Sequence, residues 1–353
     1  SVRTGSLHKV RALEQWWKMN KAKNFKEFYS ILEMNEIPGY NIGYADKDDN
    51  IFYISNGLIP KRNDKYKWTG VLPGNTSETL WTEYYKTSEL PQVINPESGY
   101  IYNANHSPFK STSLDENPNP KDFATNMGFE TFDNNRSTRI FELVESYDSI
   151  DYKAFKTIKY DNKFPTPFNY NFMNINNIME MNPDNYPEIS DLLEQIQKWD
   201  RITNANSTGA GAYAMFYYTL ADKYFYKSYY DRNFSKSLIA DCLAEVKKRM
   251  KKYFDSTTVK LGDFQKLVRG DKEMPIFGMP DVITAMNASK YKDGKVQVTH
   301  GESYIQLVKF SSKGTEIESI ISYGSSDNKE SPHYNDQMEK YSKFQTKKMS
   351  FDR

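Results

Sequence analysis

The chain is poor in the residue types that most often hold metals or link segments covalently. Its 353 residues include one cysteine and four histidines. A single cysteine cannot form a disulfide within the chain, and no H-x-x-x-H or C-x-x-C spacing marks a metal site. Cys242 falls in an apolar helical pattern, which favours a buried structural thiol. The residues themselves therefore predict no cofactor.

Excess charge and long apolar runs are also missing. The 47 basic and 46 acidic residues give a net charge of +1, which argues against nucleic acid or an acidic membrane as a partner. No run approaches the roughly 18 apolar residues that mark a membrane-spanning helix. Aromatic side chains are abundant, at 15% of the residues and including 27 tyrosines. They suit half-buried strands and pockets that hold acyl groups or rings.

Hydrophobic spacing predicts helices and strands without regular alternation, which is typical of the α+β class. Asn24 is the predicted N-cap of an early helix, with Glu27 completing a capping box. Residues 58–135, rich in Pro, Asn, Ser and Gly, are predicted to be irregular. Apolar stripes predict helices at residues 10–19, 188–199, 210–226, 234–253 and 335–344, and alternation predicts strands at residues 40–46, 51–57, 295–299, 304–310 and 317–323. The first helix should carry on one side Val10, Leu13, Trp16 and Trp17.

Five segments carry a resemblance to a known family. They read QWWKMNKAKNFKEF from residue 15, NIGYADKDDNIFYISNGLIPKR from residue 41, ELPQVINPESGYIYNANHSP from residue 89, FDNNRSTRI from residue 132 and SPHYNDQMEKYSKF from residue 331. In this order, spanning almost the whole chain, they resemble the penicillin-acylase family of N-terminal-nucleophile (Ntn) amidohydrolases. The resemblance implies an enzyme that hydrolyses linear amides.

The same resemblance implies a fold and a set of partners. Residues 1–353 would be an incomplete fragment, the C-terminal part of the catalytic β subunit, with part of an αββα sandwich and a largely helical region. Residues 1–57 and 290–330 would supply core strands and helices of the sandwich, residues 58–140 a loop-rich active-site segment, and residues 141–290 mainly helices. The implied partners are a small acyl-amide substrate, the α subunit and the N-terminal part of the β subunit from the same precursor. Such proteins are periplasmic or secreted.

The nucleophile of an Ntn hydrolase is the first residue of its mature catalytic chain, and its own α-amino group serves as the base. Ser1 is a tempting match. The resemblance instead places Ser1 well inside the catalytic subunit, so that Ser1 is a fragment boundary or a cloning remnant. We therefore expect the nucleophile upstream, and we expect residues 1–353 alone to be inactive.

Asn105 is the strongest candidate for a catalytic residue. If its segment is extended, Asn103 and Asn105 point the same way, and an inward-facing amide is a good oxyanion donor. In the family, an Asn at the place of Asn105 donates its amide N–H to the oxyanion of the tetrahedral intermediate. The alternatives are that Asn105 satisfies loop backbone groups, or that Asn103 takes the role. The neighbouring His106 either tunes the pocket or is simply exposed.

Arg136 is the second candidate. The matching family arginine lies by the active site, helps to orient the catalytic Asn and can face a substrate carboxylate or carbonyl. A planar guanidinium fork suits such a bidentate contact. The alternatives are an ordinary surface arginine at a helix start, and a shifted alignment in which Arg139 takes the role.

Two further expectations come from the resemblance alone. Some family members hold a structural calcium, and Pro60 fits the ligand that offers its carbonyl, with Asp115 an approximate match for a carboxylate. Calcium needs about six to eight oxygen ligands, so this site is possible only in the complete protein. The Asn-Ala-Asn sequence at residues 103–105 resembles more closely the branch of the family that deacylates N-acyl homoserine lactones, lipopeptides and cephalosporin side chains.

The alternative functions are a non-catalytic binding protein on this scaffold and carbohydrate binding by the aromatic residues.

Overall fold

Two compact units make up the chain, Ser1–Asp133 and Asn134–Arg353. The computed structural model describes residues 2–167, 177–228 and 234–350, and for residues 224–228 it describes the backbone alone. Each unit contains both helices and antiparallel strands. The prediction of the α+β class is confirmed.

The first unit begins with two helices and a small sheet. The helices are α1 (Ala12–Lys21) and α2 (Phe25–Leu32), and the strands are β1 (Tyr40–Ala45), β2 (Ile51–Asn56) and β3 (Gln92–Ile94). The strands pair antiparallel in the order β1-β2-β3. Both predicted helices and the predicted hairpin are confirmed. Strand β3 was not predicted, because three residues are too few to show the alternation of apolar and polar residues. The rest of this unit is loop with single 3-10 turns at Ser77–Thr79, Thr87–Glu89, Leu114–Glu116, Pro120–Asp122 and Thr125–Met127.

The start of α2 shows how local sequence fixes this unit. Asn24 Oδ1 accepts the backbone N–H of Glu27 at 2.9 Å, as predicted. The Glu27 carboxylate accepts the N–H of Lys23 rather than that of the cap, so the predicted capping box closes one residue early. The apolar side of α2 faces the sheet and packs in a cluster of buried residues: Phe28, Leu32, Phe52, Ile54, Leu90 and Met127.

Helix α1 turns a polar residue inwards. Gln15 is fully buried; its Nε2 donates to the carbonyl of Ile31, and its Oε1 accepts the N–H groups of Glu36 and Ile37. The last carbonyls of a helix have no partner within it, so Gln15 serves the end of α2 and the loop that follows. The predicted apolar stripe is largely exposed, and Leu13 is 87% accessible.

The second unit holds the longer helices. The helices are α3 (Asn135–Val144), α4 (Tyr152–Lys159), α5 (Asn177–Glu180), α6 (Ser190–Gln197), α7 (Thr208–Ser228), α8 (Lys236–Phe254), α9 (Leu261–Phe264) and α10 (Met338–Ser342). The helices predicted at 188–199, 210–226, 234–253 and 335–344 are confirmed with shifted ends. Residues 209–216 of α7 are buried, and Gly211 there lets the backbone of Val259 come close. In the described part of the chain, no helix has both the length and the apolar character to cross a membrane.

Two sheets complete the second unit. Strands β4 (Gln265–Arg269), β5 (Lys272–Pro275), β6 (Met286–Lys290) and β7 (Val296–Gly301) form one sheet in the order β5-β4-β7-β6. Strands β8 (Tyr304–Ser311), β9 (Gly314–Ile321) and β10 (Lys347–Lys348) form the other, in the order β10-β9-β8. The three strands predicted after residue 290 are confirmed. The sequence missed β4, β5 and β6, which are short and poor in β-branched residues.

Candidate active site

The segment that carries Asn105 is a loop tied down at both ends. At its start, the Asn95 side chain accepts the backbone N–H of Ile51 at 2.9 Å, which attaches the loop to β2. At its base, the Tyr102 N–H donates to the Ser111 carbonyl at 2.8 Å. The first bond ties residue 95 to β2, and the second joins two residues nine positions apart, so residues 95–112 form a loop closed by its own backbone. We call this segment the Asn105 loop.

Asn105 stands at an unusual backbone position. Its φ is +57°, in the left-handed region, and the residue is exposed. Asparagine tolerates this conformation better than most residues because its short polar side chain bonds locally. The Asn105 N–H donates to Asn103 Oδ1 at 2.9 Å. The segment is therefore not extended, and the condition under which Asn103 and Asn105 would point the same way is not met: Asn103 supports the turn, and Asn105 lies at its tip.

His106 braces the turn from beneath. It is 1% exposed, so the alternative in which His106 is simply exposed is wrong. Its Nδ1 accepts the Ala104 N–H at 3.1 Å, and its Nε2 lies 2.7 Å from the Lys110 carbonyl. A backbone N–H can only donate and a carbonyl can only accept, so the ring is neutral with its proton on Nε2. The Tyr102 ring stacks on the imidazole with centroids 4.9 Å apart.

This arrangement meets one requirement of an oxyanion donor. Such a donor must be held in place before the reaction, because reorienting it during the reaction would cost the energy that it is meant to supply. The Asn105 backbone is fixed on one side by Asn103 and on the other by the buried His106. The loop therefore presents the Asn105 amide from a preorganised backbone.

Arg136 lies in the second unit, in the first turn of α3. Asn134 caps this helix and forms a capping box with Ser137. Asp281 binds the same helix end: its Oδ2 accepts the Asn135 N–H at 3.1 Å and the Asn135 Nδ2 at 2.8 Å, and its Oδ1 lies 3.4 Å from Arg136 Nε. Burial raises the pKa of Asp281, although the Asn135 and Arg136 contacts oppose the shift.

Arg139, the alternative to Arg136, is held by two carboxylates. Its Nε and Nη2 bind the two oxygens of Asp161 at 3.1 and 2.8 Å, and its Nη1 lies 3.1 Å from Glu142. The Asp161 hydrogen bond raises the pKa of Arg139 despite partial burial. All three guanidinium nitrogens of Arg139 are engaged by carboxylates of the same unit. This pattern is typical of a structural ion pair.

The two residues considered for calcium lie in different local structures. Pro60 lies in an antiparallel bridge with Tyr84, and Asp115 lies in a single 3-10 turn. Within residues 2–167, 177–228 and 234–350, no group of three or more His, Cys, Asp or Glu side chains is arranged to hold a metal ion. Ser1 lies outside the described residues.

Asn105 belongs to the first unit and Arg136 to the second. The sequence does not reveal the two residues that support them. His106 is a chain neighbour of Asn105, but its bonds to Ala104 and Lys110 depend on a turn that the sequence does not show. Asp281 lies 145 residues from Arg136, beyond the reach of any local pattern.

Comparison with known proteins gives a consistent result. The model of the penicillin amidase family matches residues 1–353. The acyl-homoserine lactone acylase PvdQ of Pseudomonas savastanoi pv. phaseolicola is 24% identical over 409 aligned residues, which cover 99% of this chain and 50% of that protein. Penicillin G acylase of Escherichia coli is 35% identical over 101 residues, or 29% of this chain and 12% of that protein.

Among solved structures, a thermostable penicillin G acylase from Alcaligenes faecalis has a similar fold, with a TM-score of 0.59 and 15% identity. The match covers 99% of this chain and 71% of that one. The chain spans about half the length of the curated acyl-homoserine lactone acylases that it matches over almost its full extent.

Proposed function

Because this chain belongs to the penicillin amidase family, we propose that the protein is an amidohydrolase that cleaves a linear acyl amide, with Asn105 as an oxyanion donor. The observation that carries this proposal is the Asn105 loop. It holds an exposed asparagine in a left-handed turn, braced by a buried, neutral histidine. A residue kept in a sparsely populated backbone conformation by its surroundings is a common feature of functional sites.

The proposed reaction runs through an acyl-enzyme. The hydroxyl of an N-terminal serine adds to the amide carbonyl, and its proton passes to the serine's own amine. The carbonyl oxygen becomes an oxyanion, which Asn105 Nδ2 and a backbone N–H stabilise. The C–N bond then breaks, the leaving amine takes the proton, and water releases the acid. We further propose that the nucleophile lies in the part of the relatives' length that residues 1–353 do not span, and that these residues alone are inactive.

Arg136 is proposed as the cation that faces the substrate. A guanidinium offers donors in a rigid plane, which suits a substrate carbonyl or carboxylate. Its position in the first turn of α3 and its contact with Asp281 limit the directions it can take. The competing Arg139 is engaged by Asp161 and Glu142.

The proposed substrates are N-acyl homoserine lactones or lipopeptides rather than penicillins with aromatic side chains. Two observations support this order. The relatives that match 97–99% of the chain are named acyl-homoserine lactone acylases, whereas the penicillin G acylase of Escherichia coli matches 29% of it. The Asn103-Ala104-Asn105 sequence also fits that branch. We further propose export to the periplasm or the medium, which cell fractionation would test.

The test is Asn105→Asp in the full-length protein. This change keeps the shape of the side chain and its tolerance of a left-handed backbone but replaces the amide donor by an oxygen. Loss of one oxyanion donor costs about 100- to 1,000-fold in kcat, and we expect a loss of that size on N-acyl homoserine lactones of graded chain length. Asn35, at φ +48°, has a similar backbone conformation, so Asn35→Asp is the matched control and should leave kcat unchanged. An unchanged kcat in Asn105→Asp would exclude the oxyanion role.

A further inference from the structure

One carboxylate outside the family's catalytic motifs touches the candidate site. Asp281 binds the first two residues of α3 at once, Asn135 through Oδ2 and Arg136 through Oδ1. We propose that Asp281 is a positioning residue that sets the direction of the Arg136 guanidinium for the amide substrate. This inference rests on the proposed function and assigns a new residue to that site.

The hydrogen bonds of Asp281 hold its carboxylate in one position, as a positioning residue requires. Asp281 Oδ2 takes both the backbone N–H and the side-chain amide of Asn135, at 3.1 and 2.8 Å. A negative charge at a helix N-terminus is also favoured by the helix dipole. Oδ2 of the carboxylate is thus bound to the helix N-terminus, and Oδ1 of the same carboxylate lies 3.4 Å from Arg136 Nε. Because the guanidinium is planar, a contact at Nε restricts the plane of the whole group.

The backbone of Asp281 is itself held firmly. The residue has φ +65°. Its neighbours Met279 and Val282 are buried in the core of the second unit. Core packing therefore determines where the carboxylate lies, and a rigid support is what a precisely directed site residue needs.

The second arginine of α3 provides an internal comparison. Asp161 grips Arg139 through two nitrogens, Nε and Nη2, at 3.1 and 2.8 Å. Asp281 instead meets Arg136 at Nε, the nitrogen nearest the stem. The Asp161 contact occupies one edge of the Arg139 guanidinium, whereas the Asp281 contact orients the Arg136 guanidinium from the end that joins its aliphatic stem. Asp161 and Asp281 are thus two aspartates that bind arginines three residues apart on one helix.

The experiment uses the full-length enzyme with Asp281→Asn, which keeps the shape of the side chain and removes its charge. A misplacement of about 1 Å at an active site can cost about 100-fold in rate, and we expect a fall of roughly 10- to 100-fold in kcat/KM. Asp281→Glu keeps the charge and should restore part of the activity. Asp161→Asn is the matched control: it should lower the Tm and leave kcat/KM unchanged.

A double-mutant cycle separates positioning from a general structural effect. If Asp281 acts through Arg136, Asp281→Asn should cause no further loss in an Arg136→Ala background. An equal fold-loss in both backgrounds, or an unchanged kcat/KM in Asp281→Asn, would overturn the proposal. The side-chain ¹⁵N–¹H resonance of Arg136 Nε gives a readout that does not depend on activity. Its exchange with solvent should become faster in Asp281→Asn and stay unchanged in Asp161→Asn, and unchanged exchange in Asp281→Asn would overturn the assignment even for a protein without amidase activity.

Discussion

Replacing His106 by alanine should release the Asn105 loop. The substitution removes the His106 partner of the buried Ala104 N–H and of the Lys110 carbonyl, whose residue is exposed. Loss of a hydrogen bond at a buried group costs about 1–3 kcal/mol, and loss at a carbonyl that water can reach costs less. The lost stacking with Tyr102 adds about 0.5–1.5 kcal/mol. Water that enters the space would reduce the total, so we expect a loss of about 2 kcal/mol or more in the local stability of the loop.

Hydrogen exchange followed by mass spectrometry measures this loss where it occurs. In His106→Ala, amides of residues 95–112 should exchange roughly 30-fold faster or more, because about 2 kcal/mol corresponds to that factor. His106→Asn keeps an acceptor for Ala104, and His106→Gln keeps a donor for Lys110, so each should recover part of the protection. His8, an exposed histidine of the same unit, gives the control His8→Ala. Unchanged exchange in the loop of His106→Ala would refute the bracing role.

Three further predictions concern the second unit. Burial raises the pKa of the Cys242 thiol to about 11, so peptide mapping should find this residue unlabelled by thiol reagents at neutral pH until urea unfolds the protein. In Gly211→Ala the new Cβ would lie 1.9 Å from the Val259 carbonyl oxygen; urea unfolding should show a loss of about 1–3 kcal/mol or more, while Gly74→Ala, with open space around it, should change little. Burial raises the pKa of Glu302, and the Lys159 ammonium opposes that shift. Lys159→Met should therefore raise the pKa of Glu302 in the folded state further. Compared with the unsubstituted protein, the variant should lose least stability below the unfolded-state pKa of Glu302, about 4, and should lose more as the pH rises towards 8. Equal losses at pH 4 and pH 8 would contradict this.

Local sequence was a good guide to the helices and to the hairpin. The apolar stripe of α2 and the cap at Asn24 depend on neighbours three and four residues away, which the sequence displays directly. Strands β4, β5 and β6 are not evident from the sequence because they are short and poor in β-branched residues, and β4 also pairs with β7 about 30 residues further along. The inward side of α1 was missed because Gln15 serves groups of another helix.

The sequence by itself determined the family, the α+β class and the identity of Asn105 and Arg136 as candidates, because motifs and hydrophobic periods are properties of neighbouring residues. Only the tertiary structure decided how those two residues are supported. The left-handed turn at Asn105 and the tautomer of His106 follow from bonds that form when the loop closes. The contact between Arg136 and Asp281 joins residues 145 positions apart. Such contacts depend on the path of the whole chain, since only folding brings distant polar groups to within hydrogen-bonding distance.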